Sequence, residues 1–264
     1  MKEKLWQIRQ KVREISPLVH NITNYVVMNT TANALLAVGA SPVMAHAEEE
    51  VEDMVKIANS VVINIGTLSK HWVSSMKLAL KMANQLQKRV VLDPVGAGAT
   101  PYRNEVIGKL LKEGKFSVIR GNASEIMAIT SDQHKTKGVD STESSANAES
   151  AASFINEKYG SIVCISGATD YIISKNRVVK IKNGHPLMAK VTGLGCTATA
   201  LIGAFIGTGE ELFDCVVAAT AVMAIAGELA VGLSDGPGSL QLNFLDKLYN
   251  MNEDEFFRTI RMEF

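Results

Sequence analysis

The chain has 264 residues, 47% hydrophobic and 20% charged, with 27 basic and 27 acidic side chains that cancel to a formal net charge of zero. This balance leaves no electrostatic footprint for nucleic acid or an anionic membrane, and the apolar share suits a globular protein with an ample core. Three cysteines, Cys164, Cys196 and Cys215, without a C-x-x-C pair, argue against a disulfide framework or a zinc knuckle.

The first ten residues are too charged for a signal peptide, and the longest apolar run, Cys215–Gly227 with 13 residues, is shorter than a membrane span. A soluble, cytoplasmic protein is expected. Leu5, Ile8, Val12 and Ile15 recur at helical spacing, which predicts an amphipathic helix over 2–15, stopped before Pro17. A short extended segment over 18–21 leads to a helix over 24–38 with Gly39 as its C-cap, a strand over 42–45, and a helix over 48–58 with acids first and Lys56 later. A clear alternation follows: strands over 61–65, 89–92, 116–119 and 162–165, with helices over 70–88, up to about 112, and after Glu125. Strands apolar along their whole length and alternating with helices predict an α/β fold of three layers, a central, mainly parallel sheet with helices on both faces.

Two places interrupt the alternation. Residues 131–150 are polar and read as a surface loop entering a helix, while 171–174 and 177–181 flank Lys175-Asn176 as a hairpin. From 196 onward the chain reads as helical, over 196–207, 211–231, 239–249 and 253–261. With neither a linker nor a repeat, residues 1–264 are expected to form one domain, although a length prior of ~150 residues per domain also allows two.

In a parallel sheet, ligands bind beyond the carboxyl ends of the strands. Asn21, Met44, Gly66, Asp93, Arg120, Ser166 and Gly193 are all expected at that edge, and their accumulation there marks it for chemistry. The stretch Val191-Thr-Gly-Leu-Gly-Cys-Thr-Ala-Thr-Ala200 is the most pointed of these. Gly193 and Gly195 close an extended apolar run and open a helix, whose first N–H groups and roughly half a positive charge attract anions. Cys196 in that first turn has reason to be more acidic than a free thiol, or is simply a small buried cysteine. Asn122 and Glu125 match a capping box, which would account for both residues locally, yet Glu125 and Asp93 are also the carboxylates able to hold Mg²⁺, and Arg120 suits a phosphate. No G-x-x-x-x-G-K-[ST], G-x-S-x-G or H-E-x-x-H motif occurs, and Gly193-x-Gly195-x-x-Ala198 lacks the strand and acid that a dinucleotide site needs.

The four segments Asn21-Ile-Thr-Asn24, Asp93-Pro-Val-Gly-Ala-Gly98, Arg120-Gly-Asn-x-x-Glu125 and Thr192-Gly-Leu-Gly-Cys196, in this order, resemble the hydroxyethylthiazole kinases of the ribokinase-like superfamily over about residues 15–240. The resemblance implies phosphorylation of the hydroxyethyl group of 4-methyl-5-(2-hydroxyethyl)thiazole in thiamine salvage, with ATP as co-substrate and Mg²⁺ as cofactor. It further implies a homotrimer with active sites at subunit interfaces. By the same resemblance Met44 and Gly193, with Asn21, Asn24 and Gly66 around them, bind the thiazole. Arg120 and Ser166 bind ATP, and Asp93 and Glu125 lie near Mg²⁺. Gly193, Gly195 and Cys196 form the catalytic anion hole, with Cys196 where other superfamily members carry an aspartate base. The competing readings are a hydro-lyase of the same fold acting on NAD(P)H hydrate, a pyrimidine or pyridoxal kinase, and a non-catalytic thiazole sensor.

Overall fold

Apolar side chains along the predicted strands alternate between two separate cores. Val61 and Ile63 face one and Val62 the other, and Val90 and Leu92 are likewise divided from Val91. A strand buried on both faces must be covered on both, and helices do this here. The computed structural model describes residues 1–130 and 143–264. In chain order it contains α1 (Lys2–Ile15), β1 (Leu18–Ile22), α2 (Met28–Val38), β2 (Ser41–Val43), α3 (Val51–Ile57), β3 (Ser60–Asn64), α4 (Lys70–Gln85) and β4 (Arg89–Asp93). Then come α5 (Pro101–Glu113), β5 (Val118–Asn122), α6 (Ala123–Thr130), α7 (Glu143–Tyr159), β6 (Ile162–Ser166), β7 (Asp170–Ser174) and β8 (Arg177–Ile181). A 3₁₀ turn (Pro186–Lys190), α8 (Leu194–Ile206), α9 (Leu212–Val231), α10 (Pro237–Asn250), α11 (Glu253–Thr259) and β9 (Met262–Glu263) complete it.

The described residues form one nine-stranded sheet in the order β2-β1-β3-β4-β5-β6-β7-β8-β9. Strands β1 to β6 are parallel, and β7, β8 and β9 continue antiparallel at one end. Helices α3 to α7 pack on one face, and α1, α2 and α8 to α11 on the other. The three layers expected from the sequence are therefore present.

Helix α9 is apolar around most of its surface between Asp214 and Glu228, and it is buried from Phe213 to Gly227. It is long and apolar enough to cross a membrane, but 83% of its most apolar stretch is covered by the rest of the protein. Helix α8 lies over β1, β3 and β4 and runs against their direction. Its Thr199 bonds Asp93 at the carboxyl end of β4. Four residues later its Gly203 carbonyl accepts the Ser60 hydroxyl at the start of β3, and the Ile206 carbonyl accepts Arg89 at the start of β4. The N-terminus of α8 is thereby delivered to the edge where β1, β3, β4, β5 and β6 end.

Several boundaries differ from the sequence expectation. Helix α2 begins at Met28, not at 24, because Val27 N–H closes a turn onto the Asn24 carbonyl. Strand β5 runs to Asn122, which pairs with Ser166, so Arg120 lies inside a strand rather than in the loop after one. Gly193 follows a 3₁₀ turn, not an extended run, and reaches the edge through α8. The last helix ends at Thr259, not at 261, and β9 after it pairs with β8. The loop expected over 131–150 lies outside the described residues as far as 142, and from Glu143 the chain is helical.

Candidate functional site

The carboxyl ends of β1, β3 and β4 meet the first turn of α8 in one hydrogen-bonded chain. Asp93, 1% exposed, accepts through one oxygen from the Asn64 amide and from the Thr199 hydroxyl, both at 2.8 Å. The Asn64 carbonyl oxygen in turn accepts from Asn24 Nδ2 at 3.0 Å and from Gly66 N–H at 2.9 Å. Asn24 Nδ2 also faces Cys196 Sγ at 3.6 Å. Three loops and a helix are thus locked together by side chains that have no freedom to turn to water.

Burial raises the Asp93 carboxyl pKa to about 6, against the opposing pull of Arg120 and of its hydrogen bonds, and the charge of Glu125 adds to the rise. Cys196 is half-buried, and its thiol pKa is also raised, by desolvation first and by the neighbouring Asp93 charge second. Burial first, and the Asp93 charge second, act against the lower pKa expected of a thiol at a helix start.

Gly193 stands immediately before α8 with φ +84°, the left-handed region, and a Cβ there would come within 2.7 Å of Val27 Cγ1. Glycine is required on both counts. The first bond of α8 runs from Thr197 N–H to the Gly193 carbonyl, and no side chain caps the turn. The N–H groups of Leu194, Gly195 and Cys196 are those a helix start leaves for an external acceptor. Arg120 donates to the Gly195 carbonyl at 2.9 Å, which ties β5 to the same turn.

Beside Arg120, Ser166 and Gly195 opens a cavity of about 530 Å³. Its floor comes from α9 and β6, through Thr220, Ala224 and Cys164, and its outer wall from Gly184, His185 and Met188. Asp170 fixes the turn at its mouth by accepting from Gly167 N–H at 3.0 Å.

The capping-box reading of Asn122 and Glu125 holds in geometry. Glu125 N–H donates to the Asn122 side chain and Asn122 N–H to Glu125 Oε2, both at 2.9 Å. The second Glu125 oxygen accepts from Gly96 N–H at 2.8 Å. Glu125 therefore joins the loops after β4 and β5 while lying close enough to Asp93 to raise its pKa.

Of the residues expected around a ligand, Asn24, Gly66, Asp93, Arg120, Ser166, Gly193, Gly195 and Cys196 are brought to one edge. Asn21 is fully buried beneath it, bonded through Nδ2 to the Val19 carbonyl of its own strand. Met44 is half-buried and packs against the α8–α9 core; its loop is held where His20 Nε2 meets the Ala45 carbonyl at 2.7 Å. Sequence reasoning passed over Asn64 and Arg103, and saw in Thr199 a hydroxyl near the start of α8 but not its bond to Asp93. Arg103 ties the loop after β3 to the loop after β4 by bonding the Ile65, Gly66 and Val95 carbonyls. An asparagine closing the apolar run Val61-Val-Ile-Asn64 was a readable signal; the other two depend on how the loops and α8 fold back.

The sequence matches the Hydroxyethylthiazole kinase family over residues 9–254. It is 55% identical over 261 residues to the hydroxyethylthiazole kinase of Syntrophus aciditrophicus, covering 98% of this chain and 97% of that one. The fold is similar to the solved structure of a hydroxyethylthiazole kinase protein from Pyrococcus horikoshii OT3, with TM-score 0.91, 42% identity and coverage of 99% and 98% of the two chains. A ribokinase-like superfamily protein from Enterococcus faecalis V583 is similar in fold alone, with TM-score 0.63, 16% identity and coverage of 94% of each chain. The three-layer architecture is thus the ribokinase-like fold, and with a family match over most of its length and a relative more than half identical from end to end, the chain belongs to the hydroxyethylthiazole kinase family.

Proposed function

We propose that this chain, as one kinase domain over residues 1–264, transfers the terminal phosphoryl group of ATP to the hydroxyethyl oxygen of 4-methyl-5-(2-hydroxyethyl)thiazole, a step that feeds thiamine synthesis. The observation that carries the reading is the uncapped start of α8, Gly193 to Cys196. It lies between the Arg120-lined cavity of about 530 Å³ on one side and the Asn24–Asn64–Asp93 chain on the other.

Phosphoryl transfer passes through a loose transition state, so placement and charge neutralisation do most of the work. The triphosphate enters from the cavity, where the Arg120 guanidinium and Ser166 meet it. The N–H groups of the first α8 turn receive the oxygens of the moving phosphoryl group. On the far side Asn24, Gly66 and Gly193 border the alcohol, with Met44 and Asn21 contributing from the loop and strand beside them. Cys196, kept as a thiol in the free enzyme by its raised pKa, orients the hydroxyl and takes its proton late, once the new P–O bond has made that proton acidic, while passing its own S–H proton to an oxygen of the transferred phosphoryl group.

Asp93 and Glu125 fit a Mg²⁺ that arrives with the nucleotide. Mg²⁺ needs few protein carboxylates and keeps several waters. Asp93 is a buried carboxylate that accepts both of its side-chain hydrogen bonds through one oxygen, and Glu125, whose oxygens already hold two N–H groups, suits contact through a water. Bound there, Mg²⁺ supplies neutralisation of the triphosphate charge. We further assign the working form as a homotrimer with sites at its subunit contacts. Apolar side chains left exposed on and beside α2 and on α10 support it, among them Val26 (67%), Leu36 (59%) and Leu242 (67%). Its three free cysteines suit the reducing cytoplasm.

The test is ADP release by purified protein across thiazole, pyrimidine and pyridoxal alcohols, with hydrated nicotinamide nucleotide as a further substrate. Turnover is expected with the thiazole alcohol above the rest. ADP release confined to pyridoxal or pyrimidine alcohols, or dehydration without ADP, overturns the assignment. For the proton path, Cys196→Ala is expected to lower kcat by about 10²-fold, and Cys196→Asp to keep activity. An inactive Cys196→Asp beside a fully active Cys196→Ala removes the thiol from that path.

A further inference from the structure

Glu228, near the end of α9, belongs to a polar cluster that takes no part in the chemistry above. Its two oxygens accept a two-pronged bond from the Arg261 guanidinium, each prong at 2.7 Å. One of those oxygens also accepts from Asn183 Nδ2 at 3.0 Å and from Gly184 N–H at 3.1 Å. Asn183 is 5% exposed, and its carbonyl oxygen accepts the Arg261 N–H at 2.7 Å while its amide donates to the Thr259 carbonyl at 2.8 Å. Burial disfavours the Glu228 carboxylate, but the bonds from Arg261, Asn183 and Gly184 prevail and hold its pKa below the ordinary value.

What this cluster grips is the outer wall of the cavity. Asn183, Gly184, His185 and Met188 line it, and all lie between β8 and α8. Met188 rests directly over Gly227: a Cβ at 227 would come within 2.3 Å of its sulfur, so the absence of a side chain beside Glu228 is what lets the thioether settle there. Arg261 is the residue before β9, whose pairing with β8 and whose Lys182–Glu263 ion pair hold the end of the chain in place. Fork-to-carboxylate pairs fix geometry as well as adding energy.

We propose that Glu228, Asn183 and Arg261 form a clamp through which the C-terminal segment positions the 183–188 wall against the nucleotide, and so sets the affinity for ATP. The inference rests on the proposed function, in which this cavity receives ATP. Arg261 and Glu228 are positioning residues: they grip the wall through Asn183 and Gly184, and the wall touches the ligand.

The experiment is steady-state kinetics and thermal unfolding of Arg261→Ala, Arg261→Lys and Glu228→Gln. Arg261→Ala is expected to raise the KM for ATP about tenfold, the scale of one lost charge-assisted hydrogen bond. The KM for the thiazole alcohol and kcat should stay within about twofold, and Arg261→Lys, which keeps the charge but not the fork, should fall between. Arg177→Ala breaks a comparable ion pair, with Asp214 at the other end of α9, and is expected to lower Tm with ATP's KM unchanged. If the clamp variants behave like Arg177→Ala, losing Tm while keeping ATP's KM, the proposal is overturned. A cavity-filling Ala224→Phe separates the two levels of the argument. Should it leave ATP binding intact, ATP lies elsewhere and the placement of the nucleotide fails. Should it abolish ATP binding while the clamp variants bind normally, the clamp alone fails.

Discussion

Asp93→Asn is expected to lower kcat at least about 100-fold, the scale of losing one preorganised charge at a phosphoryl-transfer centre, while leaving the ligand-free protein as stable as the parent or more so at neutral pH. Asp93 is ionised at pH 7 only against its burial, since its pKa rises from 3.8 to about 6 in the fold. A raised folded pKa means that the native state holds the proton more tightly than the unfolded chain. Its stabilising contribution is full below the unfolded value and is lost as pH climbs through about 6. At about 1.4 kcal/mol per pKa unit, the ionised group costs up to about 3 kcal/mol at pH 7. Asparagine carries no such cost and can still accept from Asn64 and Thr199 through its oxygen. Thermal unfolding measured with a chelator and without nucleotide should therefore show the variant gaining on the parent between about pH 4 and pH 7, with little difference at the acid end. A gap that shrinks over that range, or an asparagine variant of full activity, contradicts this account. The expected trade of stability for activity is typical of a group held charged where the fold alone would not want it.

The reason Asp93 was visible in the sequence, and its partners were not, lies in how far each signal travels along the chain. An aspartate directly after Val90-Val-Leu92 is local information: it ends an apolar strand, and parallel strands end where ligands bind. Glu125 was visible for a similar reason: it caps the start of α6 and its charge also reaches Asp93. Thr199 meets Asp93 because α8 runs back across the sheet, 106 residues away along the chain, and Asn64 because β3 pairs with β4 in register, 29 residues away. The thiol shows the same limit in energetic form. Position at a helix start predicted a more acidic Cys196, whereas burial raises its pKa first and the Asp93 carboxylate from β4 second.

The layers themselves were legible because the central strands carry apolar side chains toward both faces, as Val61 to Ile63 and Val90 to Leu92 do, which only a doubly covered sheet tolerates. Boundaries failed where side chains overrule periodicity. Asn24 to Val27 continue the helical spacing of α2, but the Asn24 amide is drawn to Asn64 and the backbone turns instead. Strand β5 starts later than its apolar run because its register follows β4, with Val118 opposite Val91. The two residues of β9 carry no strand pattern of their own and exist through pairing with β8.

The second large effect is expected at Gly193→Ala. Two separate costs arise there, and the protein contains a position that isolates one of them. Gly209 has nearly the same φ, +83°, but a Cβ added there meets nothing within 4 Å. Gly209→Ala should thus report left-handed strain alone, about 1–2 kcal/mol. At Gly193 the same strain is joined by a contact of 2.7 Å with Val27 Cγ1, and Val27 is buried and β-branched, with little room to change rotamer. Relief must come from moving the first turn of α8, whose N–H groups are the proposed cradle for the phosphoryl group. The expected stability loss is about 3 kcal/mol or more in urea titration, and kcat should fall about 100-fold, as for a reacting group displaced by roughly 1 Å. Adding Val27→Ala to Gly193→Ala removes the clash but not the strain, and should return stability toward that of Gly209→Ala with partial recovery of kcat. If Gly193→Ala proves no worse than Gly209→Ala in both measurements, the start of α8 is not held where transfer requires it, and the cradle must be sought elsewhere on the sheet edge.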